Sequence, residues 1–221
     1  MRPTKDKIID AIQSTRLIPL FYHADVEVVR NVLEASYQGG VRVFEFANRG
    51  ANAFEVFQEL LKYSQGFPDL YLGIGTVMNA ASAKQYIDAG AHFIVSPIFK
   101  KELAEVTNAN AILWIPGCAT TTEIVIASES GAEIIKVFPG SVLGPGFVSS
   151  VLPILPKIKL MPTGGVEPEE KNLSAWFRAG VFCVGMGSQL FTADWIQSKN
   201  WKGIENKVES TLRMIEGIRS K

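Results

Sequence analysis

The feature that most constrains the fold is a regular succession of short apolar runs with β propensity. These runs recur at intervals of roughly 20 to 25 residues and are separated by segments with helical periodicity. They are LIPLF (17–21), VRVFEF (41–46), LYLGIGT (70–76), HFIVSP (92–97), ILWIPG (112–117), IIKVFP (134–139), KLMPTGG (159–165) and VFCVGMG (181–187). Strands that are apolar almost throughout are typical of a parallel sheet whose faces are covered by helices.

The segments between these runs carry helix signals and end at glycine. VEVVRNVLEASYQGG (26–40), AASAKQYIDAGA (80–91) and TTTEIVIASESGA (120–132) are examples, and Gly40, Gly90, Gly131 and Gly180 each precede an apolar run. The Gly/Pro-rich stretch 143–157 is predicted to be a loop followed by a short helical piece. Residues 1–221 are therefore predicted to form a single-domain α/β fold, a (β/α)8 TIM barrel with a short N-terminal helix. A doubly wound open sheet is the alternative.

Composition narrows the class of protein. Apolar residues make up 47% of the chain, and 22 basic residues balance 22 acidic ones, so we expect no nucleic acid or membrane surface as partner. The chain shows neither an apolar run long enough to span a bilayer nor the core of a signal peptide. The two cysteines lie apart from any Cys/His cluster, so we expect no metal and a cytoplasmic location.

Lys136 is the first candidate functional residue, because it interrupts the apolar run 134–139. Strand alternation places Ile134 and Phe138 on its face, and Ile135 and Val137 on the other face. An amine surrounded by apolar groups has a lowered pKa and can form a Schiff base with a ketone or aldehyde. The alternative is a lysine that pairs with an acid or reaches out to solvent.

Glu45 is the second charged residue within an apolar run, and Arg49 follows it by four positions. A buried carboxyl has a raised pKa and can transfer protons, although an ion pair with Lys136 or Arg42 would also explain it. A guanidinium in the loop can hold a carboxylate through paired hydrogen bonds, although Arg49 could equally be an ordinary surface residue. In barrels the active site lies at the C-terminal ends of the strands, where these residues are expected.

Two glycine-rich stretches, PTGG (162–165) and GMGS (185–188), follow the last two predicted strands. Barrels often bind phosphate in this place, because glycines expose backbone N–H groups. Thr163 and Ser188 would add hydroxyl donors. Thr76 and Pro97 follow other predicted strands and either shape the pocket or serve as turn residues.

These residues together resemble a known family. GVRVFEFANR (40–49) resembles the first signature of the 2-keto-3-deoxy-6-phosphogluconate (KDPG) and 4-hydroxy-2-oxoglutarate (KHG) aldolases. GAEIIKVFPGSVLG (131–144) resembles their second signature, which surrounds the Schiff-base lysine. GIGTV, VSP, IPG, PTGG and a final GxS occur in the same order as in that family, so the resemblance covers residues 8–215.

The resemblance implies a class I aldolase that uses no metal or other cofactor and assembles as a homotrimer. It implies that Lys136 forms the imine and that Glu45 is the general acid/base. The matching substrate-binding positions are Arg49 and Thr76 for the pyruvate end, Pro97 and Phe138 for the pocket wall, and Gly164, Gly165 and Ser188 for the distal phosphate. From the two glycine-rich stretches themselves we add Thr163 and Gly187 to the predicted phosphate-binding residues.

The implied substrate is a small phosphorylated 2-keto acid, KDPG, cleaved to pyruvate and glyceraldehyde 3-phosphate. Cleavage of KHG to pyruvate and glyoxylate is a second possible activity. The alternatives are the galactonate epimer of KDPG as substrate, a phosphosugar isomerase or epimerase that uses no imine, and a barrel that only binds a phosphorylated metabolite.

The chain departs from the family pattern beside Arg49. Ala47 stands where a threonine is usual, and Gly50 stands where a hydroxyl residue is common. Each lost hydrogen bond in the pocket is worth about 1 kcal/mol. These departures concern the aldehyde half of the substrate and leave the imine chemistry intact.

Overall fold

A computed structural model describes residues 2–220, in which strands alternate with helices. The strands are β1 (Leu17–Phe21), β2 (Val43–Ala47), β3 (Tyr71–Gly75), β4 (Phe93–Val95), β5 (Leu113–Ile115), β6 (Gly117–Cys118), β7 (Ile134–Val137), β8 (Lys159–Pro162) and β9 (Val184–Met186). The helices are α1 (Lys5–Thr15), α2 (Val26–Gln38), α3 (Ala53–Ser64), α4 (Ala80–Ala89), α5 (Lys101–Ala109), α6 (Thr121–Glu129), α7 (Gly140–Val151), α8 (Glu170–Arg178), α9 (Ala193–Gln197) and α10 (Trp201–Arg219).

Local sequence signals fix several helix ends. Asp25 caps α2 by accepting a hydrogen bond from the backbone N–H of Glu27. Helix α6 begins with a capping box in which Thr120 and Glu123 satisfy each other's backbone N–H groups. The four glycines predicted to end helices all have positive φ, between 93° and 109°, which confirms that prediction.

The strands pair in parallel and form two curled sheets. The larger sheet has the order β5-β4-β3-β2-β1-β9, and the smaller has the order β6-β7-β8. The prediction of a helix-covered parallel α/β fold is confirmed. The strand pairing does not form one continuous eight-stranded sheet, because it divides the strands between two sheets. The predicted strand 112–117 is divided between the two sheets at Pro116, which has no N–H to donate to a ladder.

The two sheets meet at both of their margins. At one margin the chain itself joins them, because Pro116 links β5 to β6, and its carbonyl accepts a hydrogen bond from the backbone N–H of Lys136 at 2.8 Å. At the other, the N–H of Phe182 donates to the carbonyl of Leu160 at 2.9 Å, and Thr163 forms a parallel bridge with Gly185. The ends of the two sheets therefore lie next to each other at both margins.

Strand alternation divides the buried side chains into an inner and an outer cluster. The outer cluster, between sheet and helices, includes Ile135 and Val137. The inner cluster contains Ile8, Ile9, Ile12, Ile18, Val43, Phe93, Val95, Leu113, Ile115, Ile134, Met161 and Cys183. Three isoleucines of α1 belong to the inner cluster, so the amphipathic N-terminal helix covers the end of the sheets at which the strands begin.

Helix α7 corrects the expectation for residues 143–157. The helical piece comes first, over Gly140–Val151, and residues 152–158 contain turns but no helix. Gly144 has non-helical angles, φ 68° and ψ 173°, so two short helical pieces meet at this residue. Pro145 then begins the second piece, where its missing N–H removes no helical hydrogen bond.

Helix α10 is the longest helix, with 19 residues, and it packs along α2 and α8. A side chain at Gly39 would lie 2.8 Å from the carbonyl of Glu205, so the glycine allows α10 to approach closely. Among the helices of residues 2–220, none combines the length and the apolar character that crossing a bilayer requires. Cys118 and Cys183 are both free and buried.

We expect Gly117→Ala to destabilise the fold by about 1–3 kcal/mol, because overpacking forces the backbone apart. A Cβ at this position would lie 2.2 Å from the carbonyl oxygen of Pro97, a backbone atom that cannot rotate away. Urea unfolding followed by tryptophan fluorescence measures the change. Gly217→Ala in α10 is the control, since its Cβ would meet no atom within 4 Å. Equal stability of both variants would show that Gly117 does not lie against the backbone of Pro97.

Candidate active site

Lys136 lies on β7 with its side chain on the inner face of the sheet. The residue is only 6% exposed, and its Nζ lies 4.9 Å from the centre of the Phe138 ring. Ile134, two positions earlier, belongs to the inner cluster, as strand alternation predicts. Burial is the main cause that lowers the pKa of Lys136, and the positive charge of Arg49 lowers it further, whereas Glu45 raises it. The amine is therefore biased toward its neutral form.

Glu45 lies on β2 and is 1% exposed, and its Oε2 has no hydrogen-bond partner within residues 2–220. Burial raises the pKa of its carboxyl, against the opposing effects of Lys136 and Arg49. Gly75, at the end of the neighbouring β3, makes space for this group. A Cβ at Gly75 would lie 1.7 Å from Oε1 of Glu45.

The mutual effect of Glu45 and Lys136 on their pKa values places their charged groups within interaction range. In each group burial outweighs the attraction of the partner, so both are biased toward the uncharged state. A neutral amine can attack a carbonyl, and a protonated carboxyl with an unpaired oxygen can exchange protons with a bound molecule. The pair is therefore chemically suited to imine formation.

Arg49 lies in the loop after β2 with an exposed side chain. Its effect on the pKa values of Glu45 and Lys136 places its charge at the same site. The loop is held by its neighbour Asn48, whose Oδ1 accepts a hydrogen bond from the buried Tyr86 hydroxyl at 2.8 Å. The backbone N–H of Asn48 also donates to the carbonyl of Gly75.

Three of the other predicted residues lie at or just beyond strand ends and are half-buried. Thr76 directly follows β3 and has a positive φ of 61°. Pro97 follows β4, and its backbone lies against Gly117. Phe138 directly follows β7 and contacts the amine of Lys136. Thr76 and Phe138 therefore lie at the ends of strands that neighbour or carry the charged pair, whereas Pro97 lies against Gly117 of β6, the strand that pairs with β7.

Thr163 is a buried polar residue directly after β8. Its Oγ1 has no hydrogen-bond partner in the described part of the chain. A Cβ added to Gly185 would lie 2.4 Å from this oxygen. The backbone carbonyl of Thr163 accepts a hydrogen bond from the N–H of Gly140 at 2.8 Å. This hydroxyl is therefore available to a bound molecule.

The loops after β8 and β9 hold the predicted phosphate-binding residues. Gly164 and Gly165 have φ values of 86° and 70°, which residues with a side chain rarely adopt. Gly187 is half-buried and Ser188 is exposed. The bridge between Thr163 and Gly185 brings these two loops together at one margin of the sheets.

Sequence reasoning missed Tyr22, which directly follows β1. Its hydroxyl lies 2.1 Å from where a Cβ on Gly50 would be, and its ring contacts Phe46 at 5.7 Å between centroids. A tyrosine hydroxyl therefore takes the space that a hydroxyl residue at position 50 would need. The position immediately after the predicted strand 17–21 was the signal that could have identified it.

Ser141 was also missed, although it lies two residues after the predicted strand 134–139; in the structure it lies in the first turn of α7. Its Cα lies 2.7 Å from where a side chain on Gly165 would be. Ser141, Gly140 and Gly165 border a pocket of about 520 Å³ that opens between α7 and α8. Lys136 and Glu45 do not line this pocket, so it borders the glycine loops and is separate from the charged pair.

The sequence of this chain matches the family model described as KDPG and KHG aldolase, over residues 8–207. The chain belongs to the KDPG and KHG aldolase family. The match covers most of the chain and confirms the resemblance carried by the two signatures around Glu45 and Lys136.

Two relatives show how the chain is related to named KDPG-type aldolases. It is 33% identical over 153 residues to the 2-dehydro-3-deoxy-6-phosphogalactonate aldolase of Escherichia coli (strain K12), covering 65% of this chain and 74% of that protein. It is 29% identical over 209 residues to the 2-dehydro-3-deoxy-phosphogluconate aldolase of Treponema pallidum (strain Nichols), covering 94% and 97%.

A solved KDPG aldolase shares the same fold. The Legionella pneumophila KDPG aldolase, with pyruvate captured at low pH as a covalent carbinolamine intermediate, superposes with a TM-score of 0.83 at 26% identity. The superposition covers 92% of this chain and 97% of that one. The KDPG and KHG aldolase fold is thus present over nearly the whole chain.

We expect Lys136 to become reactive toward an amine reagent at a pH below 10.5, the ordinary pKa of a lysine, because burial lowers the pKa of this residue. Competitive labelling with acetic anhydride over a pH series, with mass spectrometry of the Lys136 peptide, measures the midpoint. In Arg49→Gln the midpoint should rise, because a neighbouring positive charge is removed. The urea-unfolded chain is the control, where the midpoint should return toward 10.5. A folded midpoint equal to the unfolded one would contradict a buried, desolvated amine.

Proposed function

We propose that this protein is a class I aldolase that cleaves KDPG to pyruvate and glyceraldehyde 3-phosphate. The observation that carries the proposal is the pair of Lys136 and Glu45, buried together and each biased by desolvation toward its uncharged form. Membership of the KDPG and KHG aldolase family supports it.

In the proposed mechanism Lys136 Nζ attacks the C2 carbonyl of the substrate to form a carbinolamine. The protonated carboxyl of Glu45 gives its proton to the departing hydroxyl, so loss of water leaves an iminium ion and a Glu45 carboxylate. The iminium withdraws the electron pair of the C3–C4 bond, while Glu45 accepts the proton of the C4 hydroxyl. The aldehyde product leaves and an enamine remains on the lysine. Glu45 returns the proton to C3, and water then hydrolyses the imine to release pyruvate and the free amine.

We assign the remaining predicted residues to substrate binding. Arg49 and Thr76 hold the carboxylate of the pyruvate part, since a guanidinium binds a carboxylate through paired hydrogen bonds. Pro97 and Phe138 form apolar walls beside the amine. Thr163, Gly164, Gly165, Gly187 and Ser188 take the distal phosphate, for which the glycine φ values and the free Thr163 hydroxyl are the support.

The galactonate epimer of KDPG is the second candidate substrate. The 33% identity to a phosphogalactonate aldolase favours it, but that similarity covers less of the chain than the similarity to phosphogluconate aldolases. Tyr22 and Gly50 bear on the choice, because the tyrosine hydroxyl lies where the family pattern has another hydroxyl residue. Unphosphorylated KHG is a further substrate to test.

Three broader features belong to the same proposal. We propose that the two curled sheets are parts of one closed (β/α)8 barrel domain. The link through Pro116 at one sheet margin and the hydrogen bond and bridge at the other support this. A homotrimer and the absence of a metal follow from the family resemblance. A cytoplasmic location follows from the composition, and the two free cysteines are compatible with it.

Incubation with pyruvate and borohydride should attach a reduced pyruvate adduct to Lys136, because the imine is reduced in place. Mass spectrometry of the tryptic peptide identifies the site. Lys136→Ala should abolish both the adduct and KDPG cleavage. Glu45→Gln should lower kcat by roughly 10²-fold, because proton transfer is lost, while the adduct still forms.

The same assays, run on a panel of substrates, separate the alternatives. Lys62→Ala, which removes an exposed lysine paired with Glu59, is the control and should leave activity unchanged. KDPG, its galactonate epimer and KHG, compared by kcat/KM, identify the substrate. Cleavage without an adduct on Lys136, or activity that survives Lys136→Ala, would overturn the imine mechanism and favour a barrel enzyme of another class.

We expect Gly75→Ala to lower kcat by about 10²-fold, because a displacement of order 1 Å at a catalytic group has an effect of this size. The new Cβ would occupy the position of Glu45 Oε1 and displace the carboxyl. Steady-state kinetics and urea unfolding should show lost activity in a folded protein. Gly217→Ala is the matched control, because its Cβ meets no atom. Full activity of Gly75→Ala would contradict the assigned position of Glu45.

A further inference from the structure

A second polar cavity lies at the opposite ends of the strands from Lys136. It has a volume of about 310 Å³ and is lined by Arg16, Phe177, Arg178, Val181, Phe182, Ile218 and Arg219. Arg16 directly precedes β1 and Phe182 precedes β9, so the cavity lies at the end where strands begin. It is separate from the proposed active site, and its own chemistry is independent of the proposed function.

Arg16 is held rigidly at the base of this cavity. Its backbone has a left-handed φ of 57°, and its carbonyl accepts a hydrogen bond from the N–H of Val184. Its NH1 group donates to the carbonyl of Phe182 at 2.7 Å, and its guanidinium stacks over the Phe182 ring at 4.5 Å. The guanidinium is therefore preorganised before any ligand arrives.

Within residues 2–220, the two principal cations of the cavity, Arg16 and Arg219, form no salt bridge with an acid. Nε of Arg16 is buried and has no hydrogen-bond partner within residues 2–220. Burial is the main cause that lowers the pKa of Arg16, and the nearby charge of Arg219 lowers it further, whereas Cys183 raises it. Lys159 adds a further positive charge, 5.4 Å from the Phe182 ring on which Arg16 stacks.

Uncompensated guanidinium groups around a cavity favour a multiply charged anion, since they bind phosphate oxygens with charge-assisted hydrogen bonds. The cavity volume is within the range of small-molecule sites, and four apolar residues complete its wall. We propose that this cavity is a binding site for a phosphate group, with Arg16 and Arg219 as its main ligands. The phosphate is either free or carried by a small metabolite.

Glu216 is the acid that could neutralise the charge of Arg219 in place of a bound anion. It lies one helical turn before Arg219, and both residues line the neighbouring pocket formed by α1 and α10. Arg178 also lines a groove on its other side, together with Glu170. The test therefore substitutes Arg219 and follows the Nε–H of Arg16, which has no hydrogen-bond partner within residues 2–220, as the reporter.

The experiment follows the Nε–H resonances of the arginine-labelled protein by NMR during titration with inorganic phosphate. Arg16→Lys assigns the Arg16 signal by its loss. The signal should shift saturably, because a phosphate bound to the guanidinium changes the electronic environment of its Nε–H. Arg219→Gln should weaken binding about tenfold or more, as expected for the loss of one charged hydrogen bond. The signal of Arg16 reports this cavity alone, so phosphate bound at the glycine loops does not affect the result.

Arg213→Gln is the matched control, because it removes the same charge from the same helix outside this cavity, and it should change affinity less than twofold. Glucose 6-phosphate is the second arm. Tighter binding of the ester than of inorganic phosphate supports a metabolite as ligand, and equal binding supports free phosphate. An Arg16 signal that does not move, moves equally with sodium chloride of matched ionic strength, or saturates unchanged in Arg219→Gln would overturn the proposal.

Discussion

The desolvated pair of Lys136 and Glu45 is the constraint on which the rest of the site depends. Neither group could stay ionised in an apolar interior without a large free-energy cost, so burial shifts both toward neutral forms. Their surroundings maintain that state. The apolar inner cluster lies beneath them, the Phe138 ring covers the amine, and Gly75 leaves just enough space for the carboxyl. Loss of this dry environment would restore an ordinary protonated lysine, which is a poor nucleophile.

Much of the fold can be predicted because its signals are local. The sequence predicts the first strand at residues 17–21, where the structure has it, and each glycine predicted to end a helix adopts the expected positive φ. Lys136 and Glu45 are identifiable for a related reason. A charged residue is unusual within an otherwise apolar strand, so the sequence pattern itself indicates an unusual environment. The helix-covered parallel sheet follows from the same apolar runs.

The remaining features depend on contacts that no local pattern contains. The division of the predicted strand 112–117 at Pro116 reflects which neighbours each half pairs with. Tyr22 and Gly50 come from different strand ends, and only the fold shows that one occupies the space beside the other. The same is true of the arginine-lined cavity, whose residues come from three separate segments. Each of these arginines, taken alone in the sequence, has the appearance of an ordinary surface residue.

The inner cluster separates the two polar regions of the molecule and thereby gives them different properties. Helix α1 inserts Ile8, Ile9 and Ile12 into the end of the sheets where the strands begin, so the interior there is apolar and filled. In the proposed mechanism a charged substrate would therefore approach Lys136 from the end where the strands finish, which is where Arg49 and the glycine loops lie. The cavity around Arg16 lies beyond this apolar layer. The anion site proposed there would lie next to β1 and β9 rather than next to the proposed substrate pocket, because Arg16 directly precedes β1, donates to the carbonyl of Phe182 and accepts from the N–H of Val184 in β9.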